Sequence, residues 1–272
     1  MRLVDKVALV TGAGSGIGRA AGLLLAREGA KVGALGRTGG QLQETVEAIR
    51  AMGGEALALL ADVSDAEAMA GAVEALGAAW GRLDIVFANA GINGVFAPID
   101  QLTPEEWDRT LGINLKGTFL TIKYSVPLLR WQGGAIVINS SGNGTRVFSN
   151  SGMTAYACSK AGQVAMAKML ALELEASVRY IAEDLGRDGI RVNVICPGPV
   201  RTEIGDNTER RGMEGVRIPV VFPKDSIPPL TRGKPGTPEQ VAELVLFLVS
   251  EASRYITGTE VWIDGGTSLL RG

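Results

Sequence analysis

Two short stretches of this chain carry residue types that can do chemistry. Tyr156-Ala157-Cys158-Ser159-Lys160 sets a phenol and an ammonium four residues apart, on one face of a helix. A free tyrosine, with a pKa of about 10, is a poor base at neutral pH. An adjacent ammonium favours the phenolate and should lower that value, so the pair can shuttle the proton of an alcohol. The second stretch is Thr11-Gly12-Ala13-Gly14-Ser15-Gly16-Ile17-Gly18. It follows an apolar run at 7–10 and precedes Ala20, Ala21, Leu24 and Leu25 at helical spacing. Strand, tight glycine turn and helix form the setting of a dinucleotide-binding turn. Glycine lets the backbone approach a pyrophosphate, and the helix start offers free N–H groups and partial positive charge. Alone, a Tyr-x-x-x-Lys pair is a frequent coincidence of helix surfaces, and a glycine-rich turn is ordinary. Together, in this order, they point to hydride transfer between a nicotinamide and an alcohol or carbonyl.

The elements that must position these residues follow from periodicity. Short apolar runs at 7–10, 31–35, 56–60, 83–88, 135–139, 191–196 and 260–263 read as strands. Amphipathic stretches at 16–28, 41–51, 66–80, 115–131, from 154, and at 239–248 read as helices. Strands that are apolar throughout are buried on both faces, as in a parallel sheet. Regular alternation then gives an α/β fold: a doubly wound, Rossmann-type sheet of about seven parallel strands with helices on both faces. One domain is expected over 1–272. The irregular stretch 202–238, rich in glycine, proline and charge, reads as a lid over the substrate.

Composition excludes several chemistries. The chain has no histidine, which removes Ser-His-Asp and Cys-His schemes. It also removes His-ligated zinc, and two isolated cysteines cannot build a zinc site; no metal is expected. Acid/base work falls to Tyr, Lys, Ser, Asp or Glu. A formal net charge of −2 with no basic tract speaks against nucleic acid. No apolar run is long enough to span a membrane, and the N-terminus has no signal-peptide pattern. With two cysteines and no disulfide framework, a reduced, cytoplasmic protein is expected.

The glycine spacing is Gly12-x-x-x-Gly16-x-Gly18. Downstream stand Asp62-Val63, Asn89-Ala90-Gly91, Asn114, Ser140-Ser141, Tyr156-x-x-x-Lys160, Pro197-Gly198 with Thr202, and Asp264-Gly265-Gly266. In this order they resemble the single-domain branch of the short-chain dehydrogenase/reductase family, near its 3-oxoacyl-ACP reductase and glucose dehydrogenase-like members. The resemblance implies an NAD(P)-dependent oxidoreductase with Tyr156 as general acid/base. Lys160 would tune it and hold the nicotinamide ribose, Ser141 would polarise the carbonyl, and Asn114 would have a structural and proton-relay role. Ser140 is the lesser candidate for the serine. It further implies that Gly12, Ser15, Gly16, Ile17, Gly18, Arg37, Asp62, Val63, Asn89, Ala90, Gly91, Pro197, Gly198, Val200 and Thr202 bind the cofactor, with Tyr156 and Lys160. A homo-oligomer, tetramer or dimer, is implied too. Two departures stand out. Ser141 lies further from Tyr156 than in the family, which suggests a reshaped loop at 142–152. Extra residues also fall around 175–185, where an insertion of about three helical turns would preserve a helix face but could disturb a tetramer interface.

An acidic residue at the end of the second strand would bind the adenosine ribose and favour NAD. Gly36 stands there, and Arg37 beside it can pair with a 2′-phosphate. NADP(H) is therefore expected, with NAD(H) as the alternative if Arg37 only stacks on adenine. The substrate is expected to be a small alcohol or carbonyl compound, walled by Asn93, Phe96, Asn143, Arg146 and Phe148. Val147, Ile204, Asn207, Met213 and Val216 complete that wall. Arg146 would either clamp an anionic substrate or face solvent. Two other readings are a cofactor-binding sensor or scaffold without turnover, and an NAD-dependent epimerase or dehydratase, which shares the Tyr–Lys pair.

Overall fold

The computed structural model describes residues 1–148, 151–182, 189–205, 208–215 and 230–271. Its strands are Val7–Thr11 (β1), Lys31–Gly36 (β2), Ala56–Leu60 (β3), Ile85–Ala88 (β4), Val95–Phe96 (β5), Gly134–Asn139 (β6), Ile190–Pro197 (β7), Glu209–Arg210 (β8) and Glu260–Ile263 (β9). The helices are Gly16–Arg27 (α1), Gly39–Ala51 (α2), Ala66–Trp80 (α3), Pro104–Leu111 (α4), Gly117–Leu129 (α5), Thr154–Ala182 (α6), Pro238–Val249 (α7) and Thr267–Arg271 (α8).

Seven strands form one parallel sheet in the order β3-β2-β1-β4-β6-β7-β9. Side chains alternate across it with the period of two that a strand imposes. Val7 and Leu9 of β1, with Ile136 and Ile138 of β6, pack under α3, α5 and α6. Ala8 and Val10, with Ala135 and Val137, pack under α1, α2 and α7. The strand order reverses between β1 and β4, because β2 and β3 extend the sheet on one side of β1 and β4 begins the other. In doubly wound sheets the ligand crevice lies at that switch point, beyond the carboxyl ends of the strands.

The seven expected strands are present. The expected helix at 115–131 is not one element. It is preceded by α4 and by a π-helical turn at Gly112–Lys116 that runs straight into α5. Asn114 therefore lies inside the π turn and does not open a helix. A capping box starts α4: Glu106 N–H donates to Thr103 Oγ1, Thr103 N–H donates to the Glu106 carboxylate, and Pro104 takes the first helical position. The strands β5 and β8 pair in parallel away from the main sheet. α6 continues to Ala182, so the expected insertion lengthens the helix that far. The rest of the insertion, and lid residues 206–207 and 216–229 with Asn207 and Val216, lie outside the described residues.

Candidate active site

The turn after β1 is built around two glycines. Gly12 has φ +66°, and a Cβ there would lie 2.9 Å from Asn89 Nδ2. A Cβ on Gly18 would lie 2.1 Å from the Gly12 carbonyl oxygen, so Gly18 lets α1 begin directly against the turn. Ser15 caps α1 in an extended conformation without a side-chain bond, and the first turn holds no acidic residue. The free N–H groups there keep their partial positive charge for an anion. Below the turn, Thr11 Oγ1 accepts from the N–H groups of Asn89 (2.9 Å) and Ala90 (3.0 Å). Asn89 Nδ2 donates to the Thr11 carbonyl (2.9 Å), and Asn139 Nδ2 donates to Asn89 Oδ1 (2.8 Å). These bonds lock the ends of β1, β4 and β6 together as the floor of the site.

A cleft of about 760 Å³ runs along that floor, within the size range of small-ligand sites. Gly12, Ser15, Gly16, Ile17 and Arg37 line one end. Asn89, Ala90, Gly91, Ser141, Tyr156 and Lys160 line the middle, and Pro197, Gly198, Val200 and Thr202 form the wall after β7. Three expected cofactor residues do not line it. Gly18 lies beneath the turn, where its missing side chain makes room. Val63 is buried against Gly117, on which a Cβ would meet it at 2.7 Å. Asp62 accepts from Ser64 and from Arg37 Nη1 at 3.5 Å. Burial opposes its ionisation, yet Ser64 and Arg37 hold its carboxyl below the usual range. An uncapped helix start, a glycine cradle and one continuous cleft suit a dinucleotide.

Tyr156, Lys160 and Ser141 meet in the cleft; Asn114, buried like them, does not line it. Ser141 lines the cleft with Tyr156 and favours the ionised form of its phenol, and Ser141 Oγ accepts the Asn143 N–H at 3.1 Å. Ser140 is engaged elsewhere, donating to the Lys160 carbonyl at 2.8 Å, so Ser141 is the serine that acts on the phenol. Lys160 Nζ donates to the Asn139 carbonyl (2.8 Å) and lies 5.5 Å from the Tyr156 ring centre. Burial pulls its pKa down from 10.5 to about 8. The expectation that Lys160 depresses the tyrosine is corrected by this geometry: burial pushes the Tyr156 phenol above its ordinary value, with Ser141 pulling the other way. Desolvation dominates because the phenolate would be enclosed.

Asn114 clamps the loop after β4. Its Oδ1 accepts the Ile92 N–H (2.8 Å), and its Nδ2 donates to the Ile92 carbonyl (2.9 Å) and to Ser159 Oγ (3.0 Å). Its main-chain carbonyl accepts from Thr118 Oγ1 (2.8 Å) and Gln163 Nε2 (2.9 Å). Both lone pairs of that carbonyl are thus engaged within the protein.

On the substrate side, Asn93 lines the cleft and donates to Thr208 Oγ1 at 2.8 Å. Ile204 lines it as expected, whereas Phe96, Asn143, Arg146, Val147, Phe148 and Met213 do not. Phe96 is buried beneath the Arg210 guanidinium, 5.3 Å from its ring centre. Arg146 stacks on Trp262 at 3.6 Å, so it clamps nothing in the cleft. Asn143 bridges to Val147 within its own loop, and Phe148 points outward at 75% exposure. Residues the sequence reading missed complete the mouth: Ile92, Thr110, Glu106 and Arg109, joined by Glu209 of the expected lid stretch. The capping box of α4 was the available signal for the middle three. Arg211 holds β8 in place through paired bonds to the Glu106 carboxylate (3.0 and 2.8 Å).

Comparison with known proteins agrees with this geometry. A family model described as short chain dehydrogenase matches residues 6–212, and one described as Enoyl-(Acyl carrier protein) reductase matches 173–268. The chain is 36% identical over 269 residues to a 3-oxoacyl-[acyl-carrier-protein] reductase of Thermotoga maritima, covering 98% of this chain and 99% of that protein. It is 33% identical over 274 residues to levodione reductase of Leifsonia aquatica, covering 98% and 96%. The crystal structure of a 3-ketoacyl-ACP reductase from Sinorhizobium meliloti 1021 superposes with a TM-score of 0.89 at 55% identity, covering 97% of this chain and all of that one. A cleft that brings a phenol, an amine and a serine together beside a glycine-rich turn, on this fold and with these relatives, leaves one assignment: the chain belongs to the short-chain dehydrogenase/reductase family and is an NAD(P)-dependent oxidoreductase acting on alcohol and carbonyl groups.

Proposed function

We propose that Tyr156 is the general acid/base of this reaction, that Ser141 polarises the substrate oxygen, and that Lys160 replenishes the proton. The observation that carries this reading is that Tyr156, Ser141 and Lys160 line one cleft together, with Lys160 Nζ buried 5.5 Å from the Tyr156 ring centre. The nicotinamide, when bound, supplies or accepts the hydride. In carbonyl reduction the enclosed phenol stays protonated at neutral pH, which suits a group that must deliver a proton as negative charge develops on the substrate oxygen. Ser141 Oγ–H donates to that same oxygen. Lys160, with a pKa of about 8, exchanges protons near neutral pH. Asn114 acts as a clamp that holds Ile92 and Ser159 in place.

NADP(H) is the proposed cofactor. Gly36 carries no acid, and Arg37, half exposed at the cleft end, is restrained only by a long ion pair to Asp62. The chain acts as a single domain in the cytoplasm; among the described residues no helix is long and apolar enough to cross a membrane. Exposed Phe119, Met169 and Leu172 on α5 and α6 support a homo-oligomer, tetramer or dimer. Its substrate is a small alcohol or carbonyl compound. Nicotinamide absorbance against a panel of ketones, 3-oxoacyl thioesters, sugars, polyols and steroids, with Tyr156→Phe alongside, tests the reading. Turnover by wild type, lost in the variant with cofactor binding retained, is expected. A variant keeping most of its kcat refutes the assigned roles.

A further inference from the structure

Gln163 is wholly buried on α6, three residues beyond Lys160 and on the same face. Its Nε2 donates to the Asn114 carbonyl (2.9 Å) and to Thr118 Oγ1 (2.8 Å), while its Oε1, equally enclosed, has no partner. The reverse amide orientation would set two carbonyl oxygens against each other, so the donor assignment follows from chemistry. Backbone satisfaction does not explain this glutamine, because Thr118 Oγ1 already donates to the Asn114 carbonyl. A leucine would fill similar space without burying an unpaired oxygen, which is unfavourable.

What the glutamine adds is a second tie between α6 and the π turn. Ser159 Oγ holds the Asn114 amide and Gln163 holds the Asn114 carbonyl, so α6 grips one residue at both of its ends. Asn114 in turn holds both main-chain groups of Ile92, which lines the cleft. We propose that Gln163 is a positioning residue for hydride transfer: it sets how the face of α6 bearing Tyr156 and Lys160 sits against the cleft floor, acting through Asn114. This rests on the roles assigned above to Tyr156 and Lys160.

Gln163→Leu, Gln163→Glu and Tyr156→Phe, measured together, test it. Small displacements of reacting groups cost rate much more than binding. Gln163→Leu should therefore lose about ten- to a hundredfold in kcat. Its KM and its cofactor dissociation constant by fluorescence titration should stay near wild type, with no fall in Tm. A wild-type kcat, or a loss of kcat accompanied by lower Tm and weaker cofactor binding, overturns the proposal. In Gln163→Glu a buried carboxyl is held protonated at lower pH, where its O–H donates to the Asn114 carbonyl, and repels that carbonyl once ionised. Its kcat profile should fall with rising pH at a step absent from wild type; superimposable profiles overturn the proposal. If Tyr156→Phe retains turnover, the assignment of the site fails instead, so the two failures are distinguishable.

Discussion

Replacing Lys160 by methionine should end turnover and make the fold more stable. The amine is almost fully enclosed, and burial brings its pKa from 10.5 down to about 8. Holding the ammonium there at pH 7 therefore costs about 3 kcal/mol relative to the unfolded chain. Methionine keeps most of the aliphatic stem and removes the charge. The hydrogen bond from Nζ to the Asn139 carbonyl is lost, at about 1 kcal/mol. The net expectation is a gain of about 2 kcal/mol at pH 7. The sign of its pH dependence follows from proton uptake. Between about 8 and 10.5 the unfolded lysine binds more protons than the folded one, so wild-type stability rises with pH across that window. The advantage of the variant should be full below pH 8 and nearly gone by about pH 9.5. Urea unfolding followed by tryptophan fluorescence, without cofactor, at both pH values reads this directly. A variant less stable than wild type at pH 7, or one whose advantage ignores pH, would refute the argument that desolvation dominates at Lys160.

Three further outcomes are expected. Arg37→Ala should remove about ten- to a hundredfold of NADPH affinity, the worth of a charge-assisted hydrogen bond, and leave NADH binding unchanged; equal losses for both cofactors would count against a 2′-phosphate contact. Gly18→Ala puts a Cβ 2.1 Å from the Gly12 carbonyl, so the turn must move. Its stability should fall by about 1–3 kcal/mol and its cofactor dissociation constant should rise; a constant within twofold of wild type would show that the turn absorbs the methyl group. Asn114→Ala strips partners from the Ile92 N–H and carbonyl, half-buried groups at the cleft wall whose bonds contribute about 0.5–1.5 kcal/mol each. Urea unfolding should therefore show a loss of about 1–3 kcal/mol, and no loss would mean that Ile92 finds other partners.

Much of the architecture was legible in the sequence because local pattern and tertiary demand agree there. The strands carry unbroken apolar runs, since a parallel sheet covered on both faces leaves no polar positions. The glycines of the first turn answer to contacts within a few residues of themselves, as Gly18 does to the Gly12 carbonyl. Tyr156 and Lys160 share a face because helical geometry alone puts them there. The capping box of α4 was equally local and was passed over.

What the chain could not declare locally depends on contacts between distant segments. The π turn at Gly112–Lys116 has no helical-period signature; it exists where Asn114 reaches Ile92 and Ser159, and where Gln163 reaches back to it. The place of Arg146 was decided by Trp262, more than a hundred residues away, and that of β8 by Glu106. The direction of the Tyr156 pKa was decided the same way. Spacing reveals the ammonium next to the phenol, but burial is a property of the assembled fold, and enclosure raises the phenol's pKa. The order of the chemistry-bearing residues along the chain thus determined the fold, the family and the reaction class. Packing between segments far apart in sequence decided which side chains face the cleft and which protonation state each prefers, because desolvation and hydrogen-bond satisfaction arise only once those segments meet.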